Sequence, residues 1–214
     1  MPVFSRTRGQ AFLLSSARLT GLSILLLCLN VLTATAADIE LRTSQHKVTK
    51  LKSWFVTGHG FALELTQRLP DQNRAFFMSQ GYSEKLSNVL GTSCIFKTVI
   101  QNKNTATSGK TIAIDMSQWI IEHDNKKKSM YTREYWGEQF VKKHKLEKNK
   151  ALVLQWGFYP TKNLISPGDY NWGLSSFGLP PGAKFNLILH WSIGAKHYQY
   201  KVANMNCPPD KDRL

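Results

Sequence analysis

The stretch KFNLILHWSIGAKHYQYKVA, Lys184 to Ala203, constrains the fold of this chain more than any other. Phe185, Leu187, Leu189 and Trp191 recur at every second position, and Tyr198, Tyr200 and Val202 resume the pattern after Gly194-Ala195. A period of two belongs to a strand with one face in a core. Glycine at the first central position of a two-residue loop suits a type II′ turn, so the two halves form an antiparallel hairpin. In that register Ser192 faces His197 and His190 faces Gln199. A lone hairpin cannot bury such a face in water, so further strands must cover it.

Those strands are legible elsewhere. Phe61, Leu63 and Leu65 alternate with Ala62, Glu64 and Thr66 within Trp54–Arg68, where Gly58-His59-Gly60 reads as a bulge or as a place where something approaches the backbone closely. Cys94–Asn102 is β-branched, and Lys110–His123 is apolar on both faces, as a central strand is. ALVLQWGFY, Ala151–Tyr159, reads as a strand stopped by Pro160. The period changes over residues 70–91. Pro70 suits a first helical position and Gly81 a C-cap, while Ser83 caps a second short helix carrying Leu86, Val89 and Leu90. Another helical insertion is expected near residues 130–146. The pattern predicts a mainly β fold, an immunoglobulin-like or cupredoxin-like β-sandwich with short helical insertions.

The first 36 residues have a different character. Arg6, Arg8 and Arg18 precede a charge-free run from Leu19 to Leu32, and Ala34-Thr35-Ala36 follows. Fourteen apolar-rich positions are too few to span a bilayer comfortably, since about 20 are needed. A basic start, a short apolar run and a small-x-small site are the marks of a signal peptide cut after Ala36. The expected organisation is a signal over 1–36 and a single β-rich domain over 37–214. The destination is the periplasm or the medium, with no membrane-spanning segment after cleavage.

Cys28 leaves with that signal, and Cys94 and Cys207 remain. In an oxidising compartment they are expected to pair. The leader carries three arginines and no acid, so the formal net charge of +14 falls to +11 in the mature chain. An excess of this size points to an anionic partner, either an envelope component or an acidic protein.

Residues 126–150 hold nine of the basic side chains against three acids. Lys126, Lys127, Lys128, Arg133, Lys142, Lys143 and Lys145 are the candidate anion-binding groups, interleaved with Tyr131, Tyr135, Trp136 and Phe140 near helical spacing. Lysines so placed can seat phosphates, while the aromatic stripe reads first as a core face. No DNA- or RNA-binding motif is present, so no specific nucleic acid is expected as partner.

Two further groups stand out. His190 and His197 share the face away from Trp191 and Tyr198, and with His59 or His123 as third ligand they form a candidate copper or zinc site. Tyr170, Trp172 and Phe177 lie in a segment rich in proline, glycine, serine and asparagine, an aromatic loop that either binds or covers the core. GLSSFG is not a nucleophile elbow, because Pro180-Pro181 follows where a helix is required. The sequence therefore points to an exported, non-enzymatic binding or accessory protein acting through a basic surface. Periplasmic copper handling and a subunit role in an envelope complex are the alternatives.

Overall fold

The computed structural model describes residues 39–144 and 146–210, which fall within one compact unit. The segment read as an export signal lies outside the described residues, as does Lys145. Two antiparallel sheets face each other. The first has the order β1-β2-β3-β4-β9, made of β1 (Glu40–Gln45), β2 (Lys52–Gly58), β3 (Phe61–Gln67), β4 (Ile95–Asn102) and β9 (Tyr170–Ser176). The second runs β7-β6-β10-β5-β8, with β11 on the other edge of β10. Its members are β5 (Ile112–Asp115), β6 (Ile120–His123), β7 (Lys126–Ser129), β8 (Lys162–Ile165), β10 (Lys184–Ile193) and β11 (Lys196–Asn206).

The hairpin has the expected register. Leu187 pairs with Val202, Leu189 with Tyr200, Trp191 with Tyr198 and Ser192 with His197. Gly194 takes φ +58°, as the first central position of the turn demands. Its inner face meets Trp54, Val56, Leu63, Leu65 and Phe96 of the first sheet in the main core. Phe61 stacks on Trp191 with ring centroids 4.3 Å apart, a contact worth about 1 kcal/mol beyond its buried area.

Two expected strands turn out to be broken, each by local chemistry. Gly58-His59-Gly60 is a hairpin turn, not a bulge. Gly58 pairs with Phe61, leaving His59 and Gly60 as a two-residue loop at φ +52° and +81°. Gly60 is needed there, since a Cβ would lie 2.3 Å from the Asn104 side chain. The run from Lys110 to His123 is interrupted at Ser117, whose backbone N–H donates to Asp115 Oδ1 at 3.0 Å and closes a short 3-10 turn. β5 and β6 therefore pair with different parts of β10, residues 191–193 and 186–188. Trp119 sits at the break, its Nε1 donating to the His190 carbonyl at 2.9 Å.

Four helices form a second apolar cluster: α1 (Pro70–Ser79), α2 (Glu84–Gly91), α3 (Arg133–His144) and α4 (Lys148–Gly157). Phe77, Leu90, Trp136, Phe140 and Leu154 join Ile95 and Leu174 there. Ile95 and Phe96 are adjacent on β4 and enter different clusters, so the helices cover the outer side of the first sheet at that end. α4 corrects the expected strand at 151–159. The apolar run alone is short enough for either structure, but the helix begins three residues earlier, at Lys148, and among its described side chains buries only Leu154 fully. The expected loop before Gly182 likewise contains β8 and β9.

Cys94 and Cys207 form a disulfide, with Cα atoms 5.3 Å apart and both residues buried in the main core. No helix of the described residues is long and apolar enough to cross a membrane.

Candidate functional site: a lysine-lined groove

Two turns build the site. The first joins β6 to β7, where His123 pairs with Lys126 and leaves Asp124-Asn125 as the loop, at φ +49° and +59°. Asp and Asn tolerate this left-handed backbone better than other residues with side chains, so the type I′ geometry is encoded locally. The second is a bulge. Phe185 faces Met205 but Leu187 faces Val202, so Ala203 and Asn204 together oppose Asn186. Asn204 takes φ +57° and its N–H donates to Asn186 Oδ1 at 3.0 Å. Bulges bend a strand and re-aim its side chains.

Between these turns lies an open groove of about 1100 Å³. Lys126 and Lys127 border it from β7, Lys184 and Lys201 from the hairpin, and Lys52 from the first sheet, against Glu122 and Asp124. Asn186, Asn204 and Asn206 add amide groups. The Glu122 carboxylate is already engaged. Glu122 contacts Lys201 Nζ at 2.5 Å and Lys127 Nζ at 3.5 Å, and Asn186 Nδ2 donates to it at 3.4 Å. The Lys201 hydrogen bond above all holds the Glu122 carboxyl below the usual carboxylate range. Asp124 lies 3.2 Å from His123 Nε2, while His123 Nδ1 donates to the Lys184 carbonyl at 2.8 Å. Lys126 and Lys184 make no side-chain hydrogen bond or ion pair to a described residue. Both residues are exposed and line the groove together with the asparagine amides, an arrangement that presents donors and positive charge to an extended anion.

Each lysine in such an open site contributes little alone, about 0–1 kcal/mol per ion pair. Affinity then comes from several contacts at once, and it falls as salt screens them.

The other expected anion-binding groups are placed differently. Lys128 donates to the Gly178 carbonyl at 2.6 Å and lies over the Tyr131 ring. Arg133 contacts Glu134 and the Gln155 carbonyl. Lys142 and Lys143 fall within α3, and their side chains are not among those described. Of the aromatic stripe, Trp136 and Phe140 are buried in the helical cluster, so it is a core face.

The groove residues that sequence reasoning missed are Lys52, Lys184 and Lys201. Lys184 was findable, since it sits at an outward position of the hairpin. Lys201 was findable in the same way, since it alternates with Tyr200 and Val202 and pairs with Ile188 in the regular part of the hairpin.

His190 and His197 line one shallow concavity of about 480 Å³, as the register predicts. His59 is not with them. Its ring lies tilted against Tyr198 with centroids 4.8 Å apart, and Tyr198 alternates to the opposite face from His197, while His123 lines the lysine groove. Among the described residues, no three His, Cys, Asp or Glu side chains form a group able to hold a metal. Tyr170 and Trp172 are on β9 and largely exposed, whereas Phe177 is fully buried against Phe96 and Phe185. The three aromatics therefore form no common face.

No protein-family model matches the chain, and comparisons with curated proteins and with solved structures returned no match.

Proposed function

We propose that this chain is an exported, non-enzymatic binding protein of a bacterial-type cell envelope, engaging an anionic envelope component through the lysine groove. The observation that carries the reading is the convergence of five lysines from β2, β7, β10 and β11 on one groove in which Glu122 is already paired with Lys201. A buried disulfide supports an oxidising destination, the periplasm or the medium. Phosphate-bearing polymers or head groups match the chemistry, because lysine binds phosphate as a point charge without a rigid approach geometry.

The test uses soluble polyphosphate as probe, titrated at low and at high salt. Binding is expected at low salt, weakening steeply as salt is added. Lys126→Gln combined with Lys184→Gln should weaken it by about tenfold, from two contacts near the upper end of exposed ion-pair values. Binding that ignores salt, or that survives the double substitution unchanged, overturns the reading.

A further inference from the structure

Among the described residues the two sheets end in the outer strands β1, β7, β8, β9 and β11. An outer strand presents unpaired N–H and C=O groups, and sheets blunt such edges with lysines, bulges, short strands or covering segments. β7 is four residues long and reads KKKS, and β8 is four residues long and starts at Lys162. β11 is bulged at Ala203-Asn204 and carries Lys196 and Lys201. β9 is bridged on its far side by Tyr131 and Phe158, and its Trp172 N–H donates to Asn171 Oδ1 at 2.8 Å. β1 has none of these devices. Its six residues, ELRTSQ, include no lysine and no proline, and they pair with β2 residue for residue without a bulge. No backbone hydrogen bond from another described residue reaches their other side.

The sandwich is also open along this strand. β11 runs beneath β2, from the Lys52 Nζ bond to Asn206 Oδ1 at one end to the Tyr198 ring against His59 at the other. β1 is one strand further out and so projects past the edge of the second sheet. Ile39 and Leu41 pack against the main core there but stay partly exposed, as do Tyr198 and Tyr200 of β11. Apolar surface is therefore left where the next strand of a continued sheet would lie.

The strand is complementary to itself. Paired antiparallel with a second copy about Leu41, it sets Leu41 against the partner's Leu41 on the core side. On the outer face Glu40 then meets the partner's Arg42, and the two-fold axis makes this pair twice. Both side chains are exposed, and Arg42 is carried over the Phe55 ring at 5.1 Å. Opposite charges so placed stabilise an antiparallel pair, and like charges weaken it. Moving the centre by one residue in either direction would put Arg42 against Arg42 or Glu40 against Glu40.

We propose that β1 is a homodimer edge, along which two copies of this chain join their first sheets across a two-fold axis centred on Leu41. A second copy is the occupant that the strand specifies, since its own sequence supplies both members of each charge pair. One strand pair is a small interface, so the dimer is reversible and depends on protein concentration. It uses no residue of the lysine groove and stands independently of the function proposed for that groove.

The experiment is sedimentation equilibrium of the protein lacking residues 1–36 at low salt, over concentrations up to the solubility limit. A monomer–dimer equilibrium is expected. Glu40→Arg places two arginines opposite each other and Arg42→Glu two glutamates, so each variant alone should dimerise at least about tenfold more weakly. Mixed in equal amounts, the two variants recreate both opposite-charge pairs and should form a heterodimer of about the original strength. The double variant Glu40→Arg, Arg42→Glu should regain its own dimer in the same way. Both positions are exposed, so the fold should be retained, which circular dichroism checks. A protein that stays monomeric throughout overturns the proposal. Dimerisation unchanged in both single variants overturns it by placing the contact on another surface. Weakened variants that fail to associate when mixed overturn it too, because the register about Leu41 requires them to complement each other.

Discussion

Arg74 and Asp210, 136 positions apart, are joined by two parallel hydrogen bonds that fasten the C-terminal tail to helix α1. Asp210 is buried, and Arg74 also donates to Asp71 at 2.6 Å and to Asn88 of α2 at 2.9 Å. One guanidinium thus organises α1, α2 and the tail together. Gly91 makes room for it, since a Cβ there would meet Arg74 Cγ at 2.7 Å. Asp210→Ala removes the bidentate partner and leaves a half-buried charge with fewer acceptors. We expect a loss of about 2 kcal/mol, read as a lower urea midpoint with an unchanged slope.

The same tail is held by Cys94–Cys207, which closes a loop of 113 residues. On the chain-entropy account, a loop of that length makes the bond worth about 4–5 kcal/mol, through the unfolded state. The double substitution Cys94→Ala, Cys207→Ala should lower the thermal midpoint well below that of the oxidised protein. A thiol count on unfolded, unreduced protein lacking residues 1–36 should find no free cysteine. A count of two would show that the bond does not form.

Gly173 is required for the join between the helices and the first sheet. A Cβ at this position of β9 would lie 2.5 Å from the Tyr159 backbone nitrogen and 2.6 Å from its Cα, where Tyr159 N–H donates to the Leu174 carbonyl. These are backbone atoms and cannot swing aside. Gly173→Ala should therefore cost about 3 kcal/mol, at the upper end of overpacking. Gly137→Ala, where the added carbon meets nothing within 4 Å, should not destabilise and serves as control in the same denaturation series.

The parts of the fold that could be read in the sequence are those where one signal dominates. The β10–β11 hairpin combined strict alternation with a turn residue that fixes register, and its pairing is as expected over residues 187–202. Alternation also exposed β3, and caps exposed α1 and α2. Errors arose where a short feature competes with a long one. The two-residue turn at His59-Gly60 was hidden because the apolar pattern resumes at once on its far side. At α4, Leu152 and Trp156 are apolar residues left outside, so the run around them does not show which structure buries it.

The site was legible only in part. Lys126 and Lys127 stood out as members of a charge run, but the same run includes Lys128, which bonds to the Gly178 carbonyl instead of bordering the groove. A linear count of charge cannot see which of these lysines has a partner in the folded chain. The Asp124-Asn125 dipeptide was the available signal, because two residues that favour positive φ between alternating segments mark a hairpin.

Within the groove, Glu122 competes with any incoming anion for Lys201 and Lys127. Replacing it with glutamine removes one negative charge and releases both lysines, so Glu122→Gln should tighten polyphosphate binding several-fold at neutral pH. The pH dependence has a definite sign. The folded carboxyl titrates below the ordinary glutamate value of about 4.3, chiefly because Lys201 donates to it. Its ion pairs are therefore fully present above that value and are lost only as pH falls through the lowered one. In the unsubstituted protein, the contribution of Glu122 to anion affinity should stay constant from neutral pH down to the ordinary carboxylate range, and the groove should gain its extra charge only below it. The Glu122→Gln protein should lack that step. Following the Glu122 side chain by NMR across the acid range, alongside polyphosphate binding by both proteins, decides the matter. An ordinary or raised titration point, or a glutamine variant that binds no tighter, would show that the Lys201 pair does not hold this carboxylate in solution.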